Sequence, residues 1–157
     1  MAKLSKIESV AKQQLDDLVK EFVARYLDVY LVKRDYKAIK SFLHPEFSGV
    51  GSAIHEIARS QKDGRKLFKA DCTELPDSLY LDNSSLSISW PDESTAVVIC
   101  TGKLTGKTDN VNFELPDVRL TLLVNISTDG KPFICHIHMS CPQTDPGEPE
   151  SYPIRLL

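Results

Sequence analysis

The spacing of apolar residues changes from three or four to two near Pro76, and a chain with a helical period before that point and a strand period after it has few folds open to it. Ahead of Pro76, Ile7, Ala11, Leu15, Leu18, Phe22, Tyr26 and Tyr30 recur at helical steps behind the capping box Ser5-x-x-Glu8. This predicts one amphipathic helix over about residues 5–33. Asp35 is placed to cap a second, short helix carrying Tyr36, Ile39, Phe42 and Leu43, ended by His44-Pro45 because a residue before proline is pushed out of the α region. Phe47 to Gly51 predicts a brief extended piece. A third helical region is expected from about Ile54 to Leu75, with Leu67, Phe68, Cys72 and Leu75 on one stripe, Ser60 as an internal cap and Pro76 as the stop.

Beyond Leu79 apolar and polar residues alternate. Leu86, Ile88 and Trp90 interleave with Ser85, Ser87 and Ser89, and Pro91-Asp92-Glu93-Ser94 turns the chain into a strand from Thr95 to Thr105. A long strand from Val111 to Ile126 follows, interrupted near Pro116. Asp129-Gly130 then turns into a last strand, Pro132 to Cys141. Helices first and an antiparallel meander afterwards specify an α+β fold, with the helices on one face of a single curved, mostly antiparallel sheet. The expected organisation is one domain over residues 1–145 and an irregular tail over 146–157, which is rich in Pro, Gly, Asp and Glu.

Composition narrows the function classes. The 157 residues carry 19 Lys and Arg against 22 Asp and Glu, a net charge of -3, which argues against a nucleic-acid partner. Residues 1–75 hold 14 basic and 11 acidic side chains and residues 76–157 hold 5 and 11, so the change of period is also a change of charge. No window approaches a membrane span and no secretory h-region opens the chain, so a cytoplasmic location is expected. Cys72, Cys100, Cys135 and Cys141 include no C-x-x-C pair and are expected as free thiols. No cofactor is expected: Gly49-Val50-Gly51 lacks the third glycine and the Lys-Ser/Thr of a phosphate loop and predicts a tight bend.

The last hairpin concentrates the chemistry. With Asp129-Gly130 at the two central turn positions, Leu123 faces His136, Thr121 faces His138 and Arg119 faces Ser140, and all six side chains share one face. The opposite face carries Leu120, Leu122, Val124 and Ile126 against Met139, Ile137, Cys135 and Phe133, with no charged group. Two histidines beside an arginine and two hydroxyls suit anion binding, positioning of a polar ligand or acid–base chemistry, or simply satisfy one another in a polar interior. A metal would need a third ligand such as His55 or Glu56, and no metal site is assigned. A sheet with helices on one side buries one face within the monomer. If the helices cover the His–Arg face, the apolar row of Leu120, Leu122, Val124, Phe133, Ile137 and Met139 calls for a second copy and predicts a homodimer. The alternative is that the helices cover the row and the His–Arg face looks outward. Tyr26 and Tyr30, four apart on the first helix, form a core stripe whose hydroxyls could line a cavity.

Arg119-Leu120-Thr121, the Asp129-Gly130 turn, His136-Ile137-His138-Met139-Ser140-Cys141-Pro142 and Glu150-Ser151-Tyr152-Pro153 resemble the carboxyl half of SnoaL-like domains of the nuclear transport factor 2-like superfamily. The H-x-H-x-S ending is similar to the association domain of calmodulin-dependent protein kinase II and its bacterial sensor-like relatives. The resemblance implies a cone-shaped α+β fold whose concave sheet face and helices enclose a pocket, while the outer face mediates dimers. It places Arg119, Thr121, His136, His138 and Ser140 toward that pocket, with Tyr26 or Tyr30 at its wall. The expected function is a non-catalytic domain, sensory or regulatory, that dimerises and binds a small polar or carboxylate-bearing ligand. The alternative is an isomerase, dehydratase or cyclase in which a pocket histidine exchanges protons and Tyr26 or Tyr30 stabilises charge on oxygen; no catalytic residue is assigned.

Overall fold

A computed structural model describes residues 6–74, 78–82, 85–108 and 111–141. The Ser5 cap, the Pro76 stop and the tail beyond Cys141 lie outside them. Helix α1 runs over Lys6–Leu27 and widens into a π turn over Asp28–Val32; α2 is Tyr36–Ile39, continued by a 3-10 turn over Lys40–Phe42. Strand β1 is Leu43–Val50, β2 is Ile57–Ala58 and α3 is Gln61–Glu74. Strands β3 (Ser78–Leu81), β4 (Ser87–Ser89), β5 (Thr95–Thr108), β6 (Val111–Ile126) and β7 (Pro132–Ser140) complete the chain. No helix among the described residues is long and apolar enough to cross a membrane.

The caps explain the boundaries. The Asp35 carboxylate accepts from the backbone N–H groups of Lys37 and Ala38 and starts α2. Ser60 opens α3 instead of sitting inside it: its hydroxyl accepts from Asp63 N and donates to the Asp63 carboxylate. The helix expected from Ile54 therefore begins at Gln61, seven residues late. The segment before it is a loop closed by Gly51 N–H donating to Glu56 O at 2.8 Å, which brings β2 back to pair antiparallel with β1.

The sheet order is β2-β1-β7-β6-β5-β3, with β4 also paired to β5. Every neighbouring pair is antiparallel except β1 and β7, which run parallel. The interruption expected near Pro116 is a register shift between Gly102 and Leu104 of β5, opposite Asp117 at φ 56°.

The last hairpin pairs as expected from Leu123 outward: Leu123 with His136, Thr121 with His138 and Arg119 with Ser140. Two departures nearer the turn cancel. The loop has three residues, not two: Gly130 sits at φ 79°, its N–H donates to Ser127 O, and Ser127 pairs with Lys131. Pairing then runs Ile126 with Pro132, Asn125 with Phe133 and Val124 with Ile134, until a bulge at Cys135 restores the expected offset.

The helices cover the apolar row. Leu120, Leu122 and Val124 are buried, as are Val118 and Ile134, and Ile137 and Met139 pack against the same core. Facing them are Val19, Phe22, Val23 and Tyr26 of α1, Phe42, and Phe68 of α3. Each such burial contributes roughly 1.5–3 kcal/mol, whereas an arginine sealed beneath helices costs several kcal/mol unless an acid and further hydrogen bonds meet it. The expectation that Arg119, Thr121, His136, His138 and Ser140 line a cavity under the helices is thus corrected: all five stand on the outer face. The same finding removes the argument that the apolar row needs a second copy, since the chain's own helices cover Leu120, Leu122, Val124, Ile137 and Met139. Phe133, expected in the row, pairs with Asn125 ahead of the Cys135 bulge and falls on the face of Leu123 and Thr121.

Candidate ligand cavity

Between α1, α3 and the concave face of the sheet lies a cavity of about 60 Å³, roughly four times the space one ordered water needs. Its floor is sheet: Val118 and Leu120 of β6, Ile137 and Met139 of β7, Leu81 and Leu104. Its walls are Tyr26, Leu27, Tyr30 and Leu31 on one side and Gly64, Leu67, Phe68 and Asp71 on the other, with Val50, Gly51 and Glu56 at the end of β1. Gly64 is required where it stands, because a Cβ there would run into the Phe47 ring, which bridges sheet and α3.

Aromatic packing sets the tyrosines. Tyr26 and Tyr30 stack at 5.8 Å between centroids, and Phe68 meets the Tyr30 ring edge-on at 4.9 Å. The π turn begins between the two tyrosines and carries Tyr30 and Leu31 into the cavity wall. Arg34 locks the exit of this turn. It takes φ 54°, lies over the Tyr30 ring at 5.7 Å, donates from Nη1 to Tyr30 O at 3.2 Å and from Nη2 to Asp71 O, and so ties the π turn to α3.

Tyr30 Oη donates to Asp71 Oδ2 at 2.6 Å. Burial pushes the Asp71 carboxyl above the usual aspartate range; the Tyr30 hydrogen bond and Arg34 hold it down, while Glu56 and Glu74 push it further up. Burial, then Asp71, raises both phenols well above the ordinary tyrosine value, so both stay protonated at neutral pH. Tyr26 is fully buried, and its hydroxyl has no hydrogen-bond partner among the described residues. The Glu56 carboxylate folds over Gly51, where a Cβ would collide with it, and accepts from Ala53 N at 2.9 Å. Two tyrosines and two acidic residues thus line the cavity in an otherwise mostly apolar shell, and among the described residues no histidine, lysine or arginine lines it.

Of the residues expected at the site, Tyr26 and Tyr30 line the cavity. Arg119 and His138 are exposed on the outer face, and Thr121, His136 and Ser140 are half-buried there, with His136 Nδ1 2.8 Å from Ser48 Oγ. Glu56, weighed as a third metal ligand beside the histidines, lines the cavity on the other side of the sheet. Sequence reasoning missed Asp71. Its signal was there: Gly64, Leu67, Phe68 and Asp71 lie at helical steps on the inward stripe of α3, and an acid continuing an apolar stripe points inward.

No protein-family model matches the chain, and no curated protein does. Solved structures do. A proposed scytalone dehydratase from Novosphingobium aromaticivorans superposes with a TM-score of 0.73 at 13% identity, covering 94% of this chain and 97% of that one. A nuclear transport factor 2-like superfamily protein from Salmonella enterica gives 0.71 at 17%, covering 90% and 99%. A proposed calcium/calmodulin dependent protein kinase II association domain from Xanthomonas campestris gives 0.67 at 16%, covering 85% and 87%. At these identities the likeness concerns architecture, and it agrees with the helices on a curved, mostly antiparallel sheet found here: the chain has the nuclear transport factor 2-like α+β fold.

Proposed function

We propose that the cavity binds a small, mostly apolar molecule and holds its polar group between the Tyr26 hydroxyl and the Tyr30–Asp71 pair. The observation that carries this reading is the Tyr26 hydroxyl, buried and without a partner among the described residues, on a tyrosine that lines a mostly apolar cavity. An orphaned hydroxyl in such a place carries a desolvation cost of about 1–3 kcal/mol, which a ligand that hydrogen-bonds it removes. Similar architectures occur both in a proposed association domain and in a proposed dehydratase, so binding without chemistry and acid–base chemistry are both open to the fold. A second reading follows from Asp71. A carboxyl raised by burial, held by a tyrosine and facing a cavity suits proton transfer, with Tyr26 donating to oxygen as charge develops. The acid–base role foreseen for a histidine would then pass to Asp71.

The test is thermal stabilisation of the chain by six-membered-ring probes, with wild type compared against Tyr26→Phe, Leu67→Trp and Arg119→Ala. Stabilisation lost in Leu67→Trp, weakened in Tyr26→Phe and kept in Arg119→Ala supports the cavity. Stabilisation lost in Arg119→Ala or His138→Ala and kept in Leu67→Trp would put the ligand on the outer face. Deuterium exchange at the α-carbon of a bound cyclic ketone, abolished by Asp71→Asn, would promote the catalytic reading.

A further inference from the structure

We infer that the ligand's polar group is a protonated amine, so that the cavity takes a small ammonium ion with an apolar body and not a carboxylate. The inference rests on the cavity being the binding site and adds the charge of what it binds. Asp71 and Glu56 both line the cavity, and neither forms an ion pair with a lysine, arginine or histidine among the described residues. Arg34 lowers the proton affinity of Asp71 from a distance but makes no ion pair with either acid: two of its guanidinium nitrogens donate to the main-chain oxygens of Tyr30 and Asp71. Glu56 and Asp71 act on each other through this space, Glu56 lifting the proton affinity of Asp71. Two carboxyl groups facing an apolar void form an electrostatic sink, which a cation between them relieves and an anion deepens.

The aromatic shell points the same way. Tyr26, Tyr30, Phe47 and Phe68 all line the void, and ring faces attract a cation within about 6 Å. The Tyr26 oxygen, without a partner, can accept one N–H of an ammonium while Asp71 accepts a second. A hard metal ion fits poorly, since calcium wants about six to eight oxygen ligands and the void offers two carboxyl groups and two phenols among aliphatic side chains. The ligand class expected from the sequence alone, polar or carboxylate-bearing, followed from placing Arg119 and the histidines in the pocket; with those on the outer face, the charge preference inverts.

Three probes of one shape decide the matter: cyclohexylammonium, cyclohexanol and cyclohexanecarboxylate, titrated at neutral pH and constant ionic strength into wild type, Asp71→Asn and Glu56→Gln, read by melting temperature and calorimetry. The expected result is stabilisation by the ammonium probe above that by the alcohol, none by the carboxylate, and ammonium affinity weakened on the order of tenfold in Asp71→Asn with the alcohol unaffected. Glu56→Gln should weaken the ammonium probe in the same direction and stands in if Asp71→Asn does not fold. Stabilisation by the alcohol but not the ammonium leaves the cavity as the binding site and overturns the amine. Stabilisation by the carboxylate, or an ammonium response unchanged in both variants, also overturns it. Silence from all three probes removes both the amine and the cavity reading.

Discussion

The two faces of the central hairpin are built from the same two strands, residue by residue in alternation, yet they obey different rules. On the inner face Val118, Leu120, Leu122 and Val124 are buried against α1 and α3, and wherever the packing falls short it leaves a cavity. On the outer face Arg119, Thr121, His136, His138 and Ser140 meet solvent or half-buried hydroxyls such as Ser48. Residues that look chemically rich in the sequence lie on the side without the cavity. Those that give the cavity its polarity, Tyr26, Tyr30, Asp71 and Glu56, come from the helices and a loop, each surrounded by apolar neighbours in space. A polar side chain on a strand is informative only once its face is known, whereas a polar side chain on the apolar stripe of a helix already announces where it points.

The comparison breaks most easily at adjacent positions. Leu122→Asp should cost about 4 kcal/mol or more and abolish a cooperative melt, while Thr121→Asp, one residue along on the other face, should stay within about 1 kcal/mol in urea unfolding. Equal costs would mean that the faces are not as described. Next in size is Gly64→Ala: helix propensity favours it by up to about 1 kcal/mol, but its Cβ would collide with the Phe47 ring, at about 1–3 kcal/mol. A lower melting temperature is expected, and a higher one would show that Phe47 yields freely. Tyr26→Phe should stabilise the unliganded chain by about 1 kcal/mol, because it deletes a hydroxyl buried without a partner. A loss instead would reveal a partner for that hydroxyl.

Asp71 sharpens the inner face through pH. Its folded-state carboxyl binds a proton more tightly than the unfolded value of 3.8. Between that value and the raised folded one, the folded state therefore holds more protons than the unfolded. Its contribution to stability is full below 3.8 and declines as pH rises through the folded value. Asp71→Asn should flatten the pH dependence of the melting temperature just above that point, and an unchanged slope would show that burial does not perturb this group. The smallest effects belong outside: Arg119→Ala and His138→Ala should each shift stability by less than about 0.5 kcal/mol in the same assay, and a larger loss would expose an interaction across the outer face.

The Asp35 cap and the alternation along β6 and β7 were legible because each depends on neighbours a few residues away, whereas the His44-Pro45 stop misplaced a boundary: the second helical segment ends at Phe42, and Leu43, His44 and Pro45 already belong to β1. Even the pairing of Arg119 with Ser140 was legible, although through two offsets that cancel, a three-residue turn and a bulge at Cys135, neither visible as a local signal. By itself the sequence determined the α+β class, the hairpin from Leu123 outward and the existence of one charged and one apolar face, since periodicity and turn chemistry act along the chain. Only the tertiary structure decided which face the helices cover, and with it that Tyr26 and Tyr30 meet Asp71 and Glu56 around a void while the histidines remain outside. That choice is made by the desolvation of whole surfaces brought together from distant parts of the chain, and no local pattern encodes it.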